Sequence, residues 1–241
     1  MTQTKIDILA FGAHPDDVEL SAAGTLLKEA AKGKKIGVID LTQGELGTRG
    51  SAELRMKEAN ASASILGLSC RENLKMKDGF FQNDEAHIRD IVRMIRKYRP
   101  EIVLANAPSD RHPDHGRAAK LVADACFYSG LMKIETEEEG KSQEAWRPKA
   151  LYHYIQDYYQ KPDFVLDVSD YVEQKMQAIK AFGSQFYDPD SKEPDSPIAV
   201  KNFFDFIEGR MINMGRYILA DYGEGFLKSR PLGVESLTHL L

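Results

Sequence analysis

The sequence predicts an α/β fold: a Rossmann-like, doubly wound and mostly parallel sheet with helices on both faces, and a less regular C-terminal part. Two observations lead there. Short apolar runs alternate with longer segments whose apolar residues recur at helical spacing, the pattern of βαβ units. Several of the helical segments also carry their own punctuation, a capping residue before them or a glycine or proline after. At 241 residues the chain can bury one sizeable α/β core. No linker-like stretch divides it, so positions 1–241 are expected to form a single domain.

Ile6 to Phe11 is an apolar run closing at Gly12 and reads as a buried strand. Asp17 to Lys32 is a helix stopped at Gly33, and Lys35 to Leu41 is the second strand. Ser51 to Leu66 is a helix with Ser51 as N-cap and Gly67 at its end. A short strand is expected around Leu74. Asp84 to Tyr98 is a helix ended by Pro100, Ile102 to Asn106 a strand, and Pro113 to Phe127 a helix. Beyond these, Ala150 to Ile155 and Phe164 to Val168 read as strands, and Tyr171 to Phe182 and Asn202 to Leu219 as helices. The stretch Asp188 to Pro197, with prolines at 189, 194 and 197, is a surface loop. Glu135 to Lys141, with four glutamates and a glycine, reads as a solvated loop.

Composition narrows the function classes. Thirty-two basic residues against 37 acidic ones leave a formal charge of −5, which offers no general attraction to nucleic acid. The basic run at Lys32, Lys34 and Lys35 reads as a solvated helix end. No apolar window approaches the length of a membrane span. Met1 to Asp7 lacks the basic and apolar stretches of a secretory signal. The two cysteines, Cys70 and Cys126, stand far apart and suit a reduced setting. A cytoplasmic protein with no nucleic-acid or membrane partner is expected.

The chemistry lies in two similar segments. His14-Pro15-Asp16-Asp17 follows the first strand, and His112-Pro113-Asp114-His115 follows the strand ending near Asn106. Ligands of open α/β sheets bind beyond the carboxyl ends of strands, where the strand order reverses. Both segments can therefore face one crevice. Catalytic zinc takes three ligands from His, Asp and Glu and keeps a fourth position for water. His14, Asp17 and His115 suit that set, because the i, i+3 spacing of His14 and Asp17 puts both on one side of a turn. Asp16 stands between them as the base for a water. His112 can donate to an oxyanion or act as acid to a leaving amine, with Asp114 as its orienting carboxylate. A single His-Pro-Asp segment also has an ordinary reading as a helix N-cap. Two copies at two strand-to-helix turns, holding three of the six histidines, weigh against it. A dinuclear metallophosphatase would want further ligands on other strand ends.

Ala13-His14-Pro15-Asp16-Asp17, His112-Pro113-Asp114-His115-Gly116, Gly47-Thr48-Arg49-Gly50 and Glu53-Leu54-Arg55 together resemble the zinc-dependent N-acetylglucosamine deacetylases, which include the PIG-L and LmbE-like proteins. More narrowly, the chain resembles the bacillithiol biosynthesis deacetylases, which act on N-acetylglucosaminyl-malate. The match is strongest from residue 5 to about 130, and in the C-terminal third it rests on segments such as Ser184-Gln185-Phe186-Tyr187. The resemblance implies the same zinc set of His14, Asp17 and His115, one metal per chain. It implies Asp16 as general base, His112 as the group stabilising the transition state and Asp114 as its partner. It also implies substrate contacts from Arg55, Arg49 and Tyr187, and a homo-oligomer such as a hexamer.

The expected reaction is hydrolysis of the N-acetyl group of a small N-acetylated amino-sugar glycoside, releasing acetate and the free glucosamine derivative. Rival readings are a thiol-conjugate amidase, a general N-acetylglucosamine or chitobiose deacetylase, and a sugar- or metal-binding protein without turnover. An acidic residue at position 16 weighs against the last. A mixed His/Asp set also accepts Fe(II) or Co(II) in place of zinc. Whether Asp16 or His112 returns the proton to the leaving amine stays open.

Overall fold

A computed structural model describes residues 5–240. The elements run β1 (Ile8–Gly12), α1 (Asp17–Ala31), β2 (Ile36–Thr42), α2 (Ala52–Leu66), β3 (Cys70–Met76), α3 (Glu85–Tyr98), β4 (Ile102–Ala105), α4 (Pro113–Tyr128), β5 (Glu137–Glu138), β6 (Lys141–Ser142), β7 (Ala150–Tyr154), β8 (Phe164–Asp167), α5 (Val172–Lys180), α6 (Phe203–Arg216) and β9 (Gly223–Lys228). Seven strands form one sheet in the order β3-β2-β1-β4-β7-β9-β8. The pairs β1–β2, β2–β3, β1–β4 and β4–β7 are parallel, whereas β9 runs antiparallel to both β7 and β8. The chain winds outward from β1 to β3 and then returns to lay β4 on the other side of β1. Strand order therefore reverses between β1 and β4, the position where such sheets bind ligands.

All five residues of β1 are buried, as expected of a strand covered on both faces. Leu9 and Phe11 point into a core shared with α3 and α4, while Ile8 and Ala10 pack with Val18, Ala22 and Leu26 of α1. Outside α1 lies a second layer: Leu66 of α2 and Ala178 of α5 pack on Ala23 and Leu27. The caps read from sequence are present. The Ser51 side chain accepts from the Leu54 N–H, and Gly67 takes φ 63°, the left-handed conformation that glycine adopts without strain. The cysteines are free. Among the described residues, no helix is long and apolar enough to cross a membrane.

The departures are local. The strand expected around Leu74 extends over seven residues, paired on one side only with β2. Glu135 to Lys141, expected as a loop, holds one arm of a small hairpin, β5 and β6. Glu139 and Gly140 turn it with positive φ at both positions, and Glu138 is anchored to Lys97 at 2.8 Å. β9 has no counterpart in the sequence reading. Its Gly-Glu-Gly-Phe-Leu-Lys run has a single strand former, Phe226, which is buried and stacks on Phe164 of β8. Glu224, 3% exposed, takes the ammonium of Lys175 at 2.6 Å and the N–H groups of Gly24 and Thr25. Tertiary partners thus override weak local propensity.

Candidate active site

His14, Asp16 and Asp17 leave the end of β1, and His112, Asp114 and His115 open α4 beyond the end of β4. Both segments make the same turn: the Asp17 N–H bonds the His14 carbonyl at 3.3 Å, and the His115 N–H bonds that of His112 at 3.1 Å. Asn106, the residue after β4, ties them together. Its Oδ1 accepts from the Ala13 N–H, and its Nδ2 donates to Asp17 Oδ2, each at 3.0 Å. The three imidazoles meet over this junction, with ring centroids 4.7 Å (His14–His112), 5.2 Å (His112–His115) and 5.7 Å (His14–His115) apart. They line a cavity of about 320 Å3 to which residues of α6 also contribute.

Asp17 is the centre of the cluster. Its carboxylate stands 3.0 Å from His115 Nε2 and 3.5 Å from His14 Nδ1. It also accepts from Asn106, from the His14 N–H and from Gln156 Nε2. Each of these two histidines has a carboxylate on its other nitrogen: Asp78 at 3.0 Å from His14 Nε2, and Asp110 on His115 Nδ1. This is how metal-binding imidazoles are held, one nitrogen fixed by a carboxylate and the other presented. The charges agree. Burial would depress both imidazoles, but the surrounding carboxylates win: His14 is pushed well above the ordinary histidine value and His115 up to about 9. A field that lifts two buried imidazoles is one that a divalent cation satisfies, so the residues fit a metal. The ligand nitrogens of His14, His112 and His115 lie within 4.8 Å of one another, as do the ligand atoms of His14, Asp78 and Asp114.

Asp16 does not cap α1. It sits at the N-cap position with φ 122°, and its side chain makes no capping bond. A non-glycine residue held there costs about 1–3 kcal/mol, and such strain concentrates at functional sites. The carboxylate turns instead to Arg55, whose Nη2 donates to Asp16 Oδ2 at 3.1 Å and to Gln185 Oε1 at 2.5 Å. Burial pushes the Asp16 carboxyl up to about 7, and the Arg55 guanidinium opposes that rise.

Three of the expected residues make contacts that the sequence did not indicate. Asp114 does not orient His112 through its carboxylate. That group accepts from the Gly79 N–H at 2.8 Å and from Arg117, and lies 3.5 Å from His14 Nε2. His112 is oriented by backbone: its Nδ1 accepts from the Asp114 N–H at 3.2 Å, which leaves the proton of the neutral ring on Nε2. Burial and the two neighbouring histidines hold His112 below its ordinary pKa. Arg49 lines the cavity, where a substrate contact was expected, and also donates to the Ser184 and Pro194 carbonyls and to Ser191 Oγ. Tyr187 is not among the cavity's lining residues, and the Lys201 ammonium sits over its ring, 5.6 Å from the centroid. The sequence reading missed Asp78, Asp110, Asn106 and Gln156. Only Asn106, at the carboxyl end of a strand, had a positional signal.

The family model described as PIG-L, GlcNAc-PI de-N-acetylase, matches residues 9–126. Diacetylchitobiose deacetylase of Thermococcus kodakarensis is 31% identical over 189 residues, covering 74% of this chain and 70% of the relative. The chain belongs to the PIG-L family. A probable N-acetyl-alpha-D-glucosaminyl L-malate deacetylase 2 of Bacillus anthracis is 27% identical, over 74% of this chain and 81% of the relative. Among solved structures, a conserved protein from Thermus thermophilus is 31% identical, with a TM-score of 0.85 over 96% of this chain and 98% of that one. The matched residues 9–126 of the PIG-L model take in both histidine segments and Arg55.

Proposed function

We propose that this PIG-L family member is a metal-dependent N-deacetylase of N-acetylglucosamine glycosides. The observation that carries the reading is the strained, buried Asp16 beside a cluster of three imidazoles in one cavity. His14, Asp17 and His115 are the proposed ligands, since Asp17 lies against both histidines and each has a carboxylate behind it. A divalent metal, zinc by ligand type with Fe(II) or Co(II) also accommodated, supplies Lewis acidity to the amide when bound.

The chain's own groups do the rest. Asp16 takes the proton of the attacking water, its charge state tuned by burial on one side and Arg55 on the other. The Nε2–H of His112, fixed by the backbone bond at Nδ1, donates to the oxyanion as it develops. Arg55 acts here on Asp16. Because its cation lowers the Asp16 pKa, Arg55→Met is expected to raise that pKa. The base is then ionised only at higher pH, so the acid limb of the kcat/KM profile moves upward. A pH–rate profile of the two proteins checks the direction, and an unmoved limb removes Arg55 from this role.

The relatives bear on the sugar. One is named for diacetylchitobiose and another for an N-acetylglucosaminyl malate. A guanidinium is one group that can read the carboxylate of a malate glycoside, holding it bidentately. Arg49, Arg55, Arg111 and Arg210 all line the cavity, so a comparison of kcat/KM on malate and methyl glycosides decides whether one of them reads a carboxylate. The test is acetate release from methyl N-acetylglucosaminide by protein stripped of metal and then reloaded. Turnover is expected only after reloading, and equal rates before and after would overturn metal dependence.

A further inference from the structure

Asp17 is held by more than its two histidines. Its Oδ2 accepts from the His14 N–H at 2.9 Å and from Asn106 Nδ2 at 3.0 Å, which occupies both lone pairs of that oxygen. Its Oδ1 accepts from Gln156 Nε2 at 3.1 Å. One lone pair of the carboxylate remains. It lies on Oδ1, the oxygen 3.0 Å from His115 Nε2.

The backbone decides which way both amides point. The Ala13 N–H donates to Asn106 Oδ1, so Asn106 turns its NH2 toward Asp17. The same NH2 also meets Gln156 Oε1 at 3.0 Å, and the Ala107 N–H reaches that oxygen at 3.1 Å. Gln156 therefore has its own NH2 aimed at Asp17. Flipping either amide would set an NH2 against a backbone N–H. Two backbone N–H groups thus fix two amides, and the amides fix one carboxylate. Asn106 and Gln156 are 0% and 4% exposed, so bulk water does not compete for these bonds. The main chain at Gln156 is anchored as well. Its carbonyl accepts from Arg210 of α6, and the Ile155 N–H before it bonds the Gly225 carbonyl of β9 at 3.1 Å. Position 156 lies outside residues 9–126, the stretch that matches the PIG-L model.

We propose that Gln156 is a positioning residue. It acts through Asp17, holding that carboxylate so that a single lone pair of Oδ1 is presented to the metal. The inference rests on the metal-dependent reading above and adds to it a residue from the C-terminal part. The test loads Co(II) into metal-stripped protein and measures its visible absorption, which reports ligand geometry, and its affinity by competition with a chelator. Gln156→Met removes donor and acceptor together at nearly the same volume. Partners that orient metal ligands are worth about 10- to 100-fold in metal affinity, so a loss of that size is expected, with an altered Co(II) spectrum. Gln156→Glu retains an acceptor oxygen for Ala107 and Asn106, which guards the fold, and loses only the donor. Its carboxylate repels Asp17 instead of holding it, so the Co(II) spectrum should change here too. A structural role alone would lower the melting temperature of the metal-free variants and leave affinity and spectrum unmoved. That result, with normal Co(II) uptake by the unmutated protein, would overturn the positioning role and spare the metal reading. An unmutated protein that takes up no Co(II) would overturn the metal reading and this inference together.

Discussion

Asp16→Asn is expected to retain the fold and the metal and to lower kcat/KM about 100-fold or more. Asparagine is nearly isosteric with aspartate and tolerates positive φ better than most residues, so the 122° backbone at this position should persist. It still accepts from Arg55, but it cannot take a proton from water. Asp17→Asn should behave differently, because Asp17 faces His14 and His115 directly, and its charge is part of what favours a cation there. Metal content by elemental analysis and acetate release, measured on both variants, separate the two roles. Near-normal turnover by the Asp16 variant would mean that another group is the base.

The largest expected effect on stability lies away from the catalytic groups, at Arg71. This β3 residue bridges two buried carboxylates. Its Nε and Nη2 donate to Asp40 of β2 at 2.8 and 2.9 Å, and its Nη1 donates to Glu19 of α1 at 2.5 Å. Glu19 and Asp40 are 0% and 1% exposed, so neither can turn to water. Arg71→Met leaves both charges unpaired in the interior. Removing one partner of a buried pair costs about 3–5 kcal/mol, which for a domain of this size lowers Tm by roughly 10 °C. The penalty has a pH signature. Burial already raises the Asp40 pKa while Arg71 holds it down, so losing Arg71 raises it further. A carboxyl that is more basic folded than unfolded destabilises in full above its folded pKa; the penalty shrinks as pH falls from that value and is gone only below the unfolded pKa. The Tm deficit should therefore shrink as the pH is lowered from 7. Thermal melts across that range check it, and a deficit independent of pH would mean that lost packing dominates.

What the sequence determined by itself is what local pattern encodes. Alternating apolar runs and capped helices imply a parallel sheet, and β1 and β4 do flank the reversal of strand order. The two His-Pro-Asp segments place their chemistry at those strand ends because a strand-to-helix turn is a local structure. Proline and the i, i+3 spacing specify it within four residues. Tertiary structure decided the partners, and those are distant. Asp16 meets Arg55 across 39 positions, and Arg55 meets Gln185 across 130. Asp78 reaches His14 from 64 residues away, in a loop whose sequence marks nothing. A charged side chain looks the same in sequence whether it reads a substrate or holds a loop, and for that reason the bonds of Arg49 to Ser191 and Pro194 were not legible until the 188–197 loop was in place around it. The same holds for β9, whose strand character comes from Lys175, β7 and β8 and not from its own residues. Even the tautomer of His112 follows from a backbone N–H that exists only once α4 has formed its first turn.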